Sequence, residues 1–113
     1  MNVIVRGCRK TYIEQIVNKN DSNVQIVIDD EINKNIIYDK LLANRINIER
    51  ETGGLIQDHH WNKKEESRRI VFTPDKIDGG FLDQSRWNEI QNEMIRRSII
   101  FNKILSSRLG KIP

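Results

Sequence analysis

Five apolar residues towards the end of the chain, Trp87, Ile90, Met94, Phe101 and Leu105, recur at spacings of three, four and seven. That period belongs to one face of an α-helix and predicts a helix over about 85–109. Ile95, Ile99 and Ile104 broaden the apolar face, so burial is expected along most of its length. A helix with such a face needs another layer to pack against, and the rest of the chain must supply it.

The other segments read mainly as strands. Val3–Val5 is a short apolar run, followed by an expected turn over 6–10. Thr11–Val17 alternates in polarity, and Val24–Ile28 is a second β-rich run. Between them, 18–23 is built of Asn, Asp, Lys and Ser, residues that suit a turn, so an antiparallel hairpin is predicted. From Asn33 to Thr52 the period changes. Ile37, Leu41 and Ile48 share a helical face, Asp29, Asp30 and Glu31 precede it, and Gly53-Gly54 offers its end. Leu55–Trp61 alternates again and is expected to pair with Arg68–Thr73 across the polar connector 62–67. Pro74 ends that last strand by removing a backbone donor. The prediction is a single α+β domain over 1–113. Its antiparallel sheet has four to five strands with two helices on one face, in the order β-β-α-β-β-α. The face left uncovered, with Val27 and Val71 beside Gln25, Arg69 and Thr73, is expected to serve as a contact surface.

Composition narrows the function. The single Cys8 cannot form an intramolecular disulfide, and no apolar run approaches the roughly twenty residues of a membrane span. A cytoplasmic protein with no membrane contact is expected. Phosphate-binding glycine motifs and the zinc-protease motif are missing from the sequence. Asp58, His59 and His60 invite a metal, but on a strand adjacent side chains point to opposite faces, so the two histidines would not share one ion. Pro74-Asp75 lacks the following acidic-x-Lys strand of a two-carboxylate nuclease, and Asp75 reads as a turn residue. Cys8 lies among cations but has no candidate base nearby. The expectation is no catalytic residue, no cofactor and no metal.

Charge gives the remaining pointer. The net charge is +3, and residues 85–113 carry six cations against Glu89 and Glu93. Arg96, Arg97, Lys103 and Arg108 on the last helix, with Lys63 and Lys64 in the second connector, are the candidate nucleic-acid contacts.

The order of motifs also resembles a family of prokaryotic domains of unknown function, the DUF family numbered 4268. The residues that carry the likeness are Ile26-Val27-Ile28, Tyr38-Asp39-Lys40-Leu41, Ile48-Glu49-Arg50-Glu51-Thr52-Gly53, Trp61, Ser67-Arg68-Arg69-Ile70 and Trp87, and it covers about residues 10–109. Two departures are visible: family members usually carry an aromatic helix ahead of the first hairpin, and Arg69 separates Arg68 from Ile70. The matching residues also have a plain structural reading: Trp61 and Trp87, aromatics at a strand end and a helix start, are expected to pack in the core, and Glu49 and Glu51 to form local salt bridges near the helix end. The resemblance implies a non-catalytic accessory or binding module, associated with nucleic acid beside a nuclease-like or defence partner. The rival expectation is a homo-oligomeric (homodimer) protein-interaction domain with no nucleic-acid contact.

Overall fold

The computed structural model describes residues 2–8, 11–61 and 69–109. Strand β1 (Asn2–Cys8) pairs antiparallel with β2 (Thr11–Val17), which pairs with β3 (Asp21–Ile28). Two helices follow, α1 (Lys34–Leu42) and α2 (Arg45–Glu51). The chain then returns to the sheet as β4 (Ile70–Phe72) and the two-residue β5 (Ile77–Asp78), both antiparallel to β3. Helix α3 (Trp87–Leu109) closes the described chain. The sheet order is β1-β2-β3-β4, with β5 also on β3.

The α+β class and the antiparallel sheet are as expected, and four local readings are corrected. Strand β1 runs on through Arg6, Gly7 and Cys8 where a turn was expected, with a register shift between Ile4 and Arg6. Strand β3 begins at Asp21, so the first hairpin turn is confined to 18–20. The predicted helix over 33–52 is two helices. Asn44 Nδ2 donates to the Lys40 carbonyl and the Asn44 N–H reaches back three residues to Leu41, which tightens and ends α1. Leu55–Trp61 is not a strand. Thr52 Oγ1 accepts from the Ile56 N–H, Gln57 Nε2 donates to the Gly54 carbonyl, and Asp58–His60 forms one 3₁₀ turn. These side-chain bonds occupy backbone groups that a sheet ladder would have used. Strand β4 therefore pairs with β3, through Ile26↔Phe72, Val27↔Val71 and Ile28↔Ile70.

Alternation along β2 and β3 sends Ile13, Val24, Ile26 and Ile28 to one face. There they pack with Ile70, Phe72, Ile37, Tyr38, Leu41, Ile48, Ile90, Met94, Phe101, Ile104 and Leu105 in one cluster. All three helices contribute to it, so they share a face of the sheet. Trp61 and Trp87 pack against its margin. Trp61 meets Phe72 edge-on with ring centroids 5.1 Å apart, and Tyr38 stacks on Phe72 at 5.8 Å. On the other face Val27 is fully buried and so does not offer a contact. Glu14, Gln25 and Thr73 form a hydrogen-bonded row there. Along α3 the expected burial fails at two places: Ile95 is 52% and Ile99 63% exposed.

Strand β3 is paired at both ends and open in the middle on its β4 side, because Pro74 has no N–H to donate and the chain leaves the ladder there. Asn23 Nδ2 donates to the Pro74 carbonyl at 2.8 Å, and Ser22 Oγ donates to the Gly79 carbonyl at 2.7 Å. The loop after β5 then presses on the first hairpin turn, with Phe81 N–H on the Asn18 carbonyl and Leu82 N–H on that of Lys19. A Cβ on Gly80 would lie 2.0 Å from the Asn18 carbonyl oxygen, a backbone atom that cannot swing aside. Gly80→Ala is expected to lower stability by about 3 kcal/mol, the upper range for overpacking, read as a shift in the urea unfolding midpoint.

Candidate functional site

Arg96 and Arg97 are neighbours in sequence but stand about 100° apart around α3, and that rotation gives them different roles. Arg97 is 8% exposed. Its Nη1 donates to the Asp75 carbonyl at 2.7 Å and to Asn23 Oδ1 at 3.3 Å, while its Nε reaches Glu93 at 3.2 Å. It thus fills the opening between β4 and β5 from the helix side. As a phosphate contact on an outer face, Arg97 is corrected: its donors are engaged inside the fold. Arg96 lies outside and holds Glu93 through Nε and Nη2 at 2.6 and 2.8 Å. These hydrogen bonds, led by those from Arg96, draw the Glu93 carboxyl below its usual range, and Glu93 in turn raises Arg96.

Two other cations of this region, Arg86 and Arg108, are engaged in the same way. Arg108 pairs with Glu51 of α2, while its buried Nε has no hydrogen-bond partner among the described residues. Arg86 lies 3.6 Å from both Asp78 and Glu89. Lys103 is exposed. Lys63 and Lys64 lie outside the described residues. Glu49 accepts from Arg45 and from the Trp61 indole, the local salt bridge expected near the end of α2, whereas Glu51 pairs with the distant Arg108 on α3. Among the described residues of 85–109, the four arginines thus face carboxylates, and Lys103 alone of the cations faces none.

The structure does bring His59 and His60 together, against the strand reading. The 3₁₀ turn places their ring centroids 4.0 Å apart, and Asp75 joins them across the loop after β4. Donor atoms of the three residues all lie within 4.8 Å of one another, the spacing of a metal-binding cluster. The chemistry of His60 opposes that use. Its Nδ1 accepts the Gln57 N–H at 2.8 Å, closing a capping box, so the proton of the neutral ring sits on Nε2. That Nε2–H faces Asp75 Oδ1 at 3.8 Å and offers no lone pair to a cation. Metal-ligating histidines ordinarily donate through their second nitrogen, the reverse of this arrangement. The cluster holds the 55–61 turn against the 74–76 loop, and periodicity gave no signal for it because Gln57 and His60 meet only in a turn.

Two expectations follow. Arg97→Ala removes the charged donor from the Asp75 carbonyl, while Asn23 keeps its bonds to Val24 and Pro74, a cost of about 1–3 kcal/mol. Arg96→Ala, at an exposed pair, costs under about 1 kcal/mol. Chemical denaturation of the two variants side by side measures the difference. For His60, with a side chain 7% exposed, burial and then the charge of His59 lower its pKa, with Asp75 opposing. The unfolded chain therefore takes up this proton first as acid is added. The stability it contributes is present above about pH 6.5 and is lost as pH falls below that value towards the depressed pKa of the folded state. His60→Gln is expected to flatten that part of a stability–pH curve, while NMR titration of the His60 ring reports a midpoint below that of a free histidine.

No curated protein and no solved structure matches the chain. The model of the family described as "Domain of unknown function (DUF4268)" matches residues 4–109. The paired glutamates at the end of α2, Trp61 against Phe72 and Trp87 at the start of α3 occupy the positions on which the sequence likeness rested, and the chain belongs to this family of domains of unknown function.

Proposed function

We propose that this domain is a non-catalytic, cytoplasmic binding module that works by protein–protein contact, as an accessory to a nuclease-like or defence partner or to a copy of itself. The observation that carries the reading is the outer surface of the helical layer. Ile95 and Ile99 on α3, Ile36 on α1 and Ile46 on α2 are all more than half exposed, although the same helices have buried positions available for apolar residues. Ile32 and Leu82, in the loops that lead into α1 and α3, are exposed as well, and exposed apolar surface beyond scattered single residues marks contact surfaces. The His59–His60–Asp75 group, the constellation nearest to catalytic chemistry, is held in a capping role by Gln57.

Nucleic-acid contact is the weaker reading. Phosphate binding gains its free energy from cations that exchange counterions for phosphate. Arg86, Arg96, Arg97 and Arg108 already face carboxylates. Among the described residues, no helix is long and apolar enough to cross a membrane.

Fluorescence anisotropy with a labelled DNA duplex and a labelled single-stranded RNA separates the two readings. Non-specific binding has a Kd of about 10⁻⁴–10⁻⁶ M at physiological salt. The expected result is nothing tighter than the weak end of that range, with no change on Arg96→Ala or Lys103→Ala. Micromolar binding that falls steeply with salt and weakens in those variants overturns the protein-contact reading.

A further inference from the structure

The exposed isoleucines of α3 belong to a longer pattern. Asn88, Asn92, Ile95, Ile99, Asn102 and Ser106 follow one another at alternating spacings of four and three. Such spacings keep side chains in one line along a helix, as the a and d positions of a heptad. Asn88, Asn92, Ile95, Ile99 and Ser106 are exposed and Asn102 is half-buried, so the line lies on the side of α3 turned away from the core. None of the six carries a charge. At roughly 1.5 Å per residue the line is about 27 Å long.

Its chemistry is symmetric about its own midpoint. Read from the centre outwards, Ile95 mirrors Ile99, Asn92 mirrors Asn102, and Asn88 mirrors Ser106. A two-fold interface brings a surface against itself in reverse, so each residue meets its mirror position on the second copy. In an antiparallel helix pair, Ile95 of one copy lies against Ile99 of the other. Asn92 and Asn102 then face each other, with donors and acceptors to exchange, and Asn88 faces Ser106. Two apolar layers at the axis are flanked by amides that satisfy one another, and the polar layers fix the register.

Charge selects the same orientation. Glu89, Arg96 and Lys103 form the next line round the helix, seven residues apart. Flanking positions of this kind meet their own equivalents in an antiparallel pair, which sets Glu89 opposite Lys103 at both ends of the seam. Arg96 meets Arg96 near the axis, where the bidentate bond to Glu93 offsets the repulsion. Glu89 is well exposed, and Lys103 is exposed too. A parallel pair would instead set Glu89, Arg96 and Lys103 against the line of Gln91, Ser98 and Leu105. Ser98 and Leu105 in that line are buried in the core.

The geometry points to a second copy of this chain as the occupant of the α3 face, docked as an antiparallel two-fold helix pair with Ile95 and Ile99 at its centre. The inference rests on the protein-contact reading above and names its partner. A seam this short falls below the size of a standard stable interface, so the dimer is weak and reversible.

Sedimentation velocity over a concentration series from about 1 to 500 µM tests it, in a range suited to a weak interface, with circular dichroism confirming that each variant is folded. The wild-type chain is expected to shift from monomer to dimer. Ile95→Ser with Ile99→Ser is expected to weaken association about thirty-fold or more, the loss of a central hot spot. Glu89→Lys weakens it too, and adding Lys103→Glu restores it. Orientation is read by oxidative crosslinking in a Cys8→Ser background. The double variant Asn92→Cys/Asn102→Cys is expected to crosslink, and Asn92→Cys alone is not. A chain that stays monomeric to the top of the series overturns the inference. So does a dimer that crosslinks through Asn92→Cys alone. A dimer indifferent to Ile95 and Ile99 but lost on Ile36→Ser/Ile46→Ser also overturns the α3 seam, while leaving the protein-contact reading standing. Salt-steep nucleic-acid binding overturns the reading beneath.

Discussion

Strand β3 is the element on which the other layers converge, and its open middle is the constraint the fold has to meet. It pairs along its length with β2, yet on its other side β4 and β5 reach only its two ends. Pro74 makes a continuous ladder unavailable, and an uncompensated gap would leave buried polar groups without partners. Asn23 closes it from within the strand and Arg97 from the helix, with Glu93 holding Arg97 in place. One cation thereby fixes the height and rotation of α3 over the sheet. The helix is both the lid of the core and the clamp of a broken sheet edge.

That constraint explains the division of labour around α3. With Arg97, Met94, Phe101 and Ile104 committed to the sheet, the rotation of the helix is no longer adjustable, and Ile95 and Ile99 are carried outwards. The charged line and the uncharged line on the outer side are then distinct surfaces. Glu89, Glu93, Arg96 and Lys103 occupy one, and an Asn–Ile–Ser line occupies the other. A helix that faced solvent alone would have no reason to sort its outer residues in this manner.

Periods that repeat over many residues were legible in the sequence. The α3 spacing extends over six turns, and the β2–β3 alternation is reinforced by the polar turn between them, so helix and hairpin stand where they were expected. The segments that misled are short, and their conformation is decided by single side chains. Asn44 divides α1 from α2 by bonding a carbonyl one turn back. Thr52, Gln57 and His60 take the backbone groups of 55–61 for themselves, and a seven-residue alternation cannot register that competition. The candidate site suffered in the same way. Counting cations found Arg96 and Arg97 as equals, while helical rotation and the opening beside β3 separate them. The apolar positions 95 and 99 were visible, but only the depth of the core decided which side of the helix they joined.

The register shift in β1 bears on a different hazard. Strand β1 is an edge of the sheet, seven residues long, and a straight edge of that length is a template for another chain's backbone. The irregularity between Ile4 and Arg6 breaks the even spacing of donors and acceptors along that edge. A foreign strand can match one half of it or the other, and cannot zip along the whole. At the opposite edge β4 is only three residues long, so that side too offers little to propagate from. The sheet is thus built to stop growing at both sides, which leaves the helical layer free to carry apolar surface without inviting fibrous assembly.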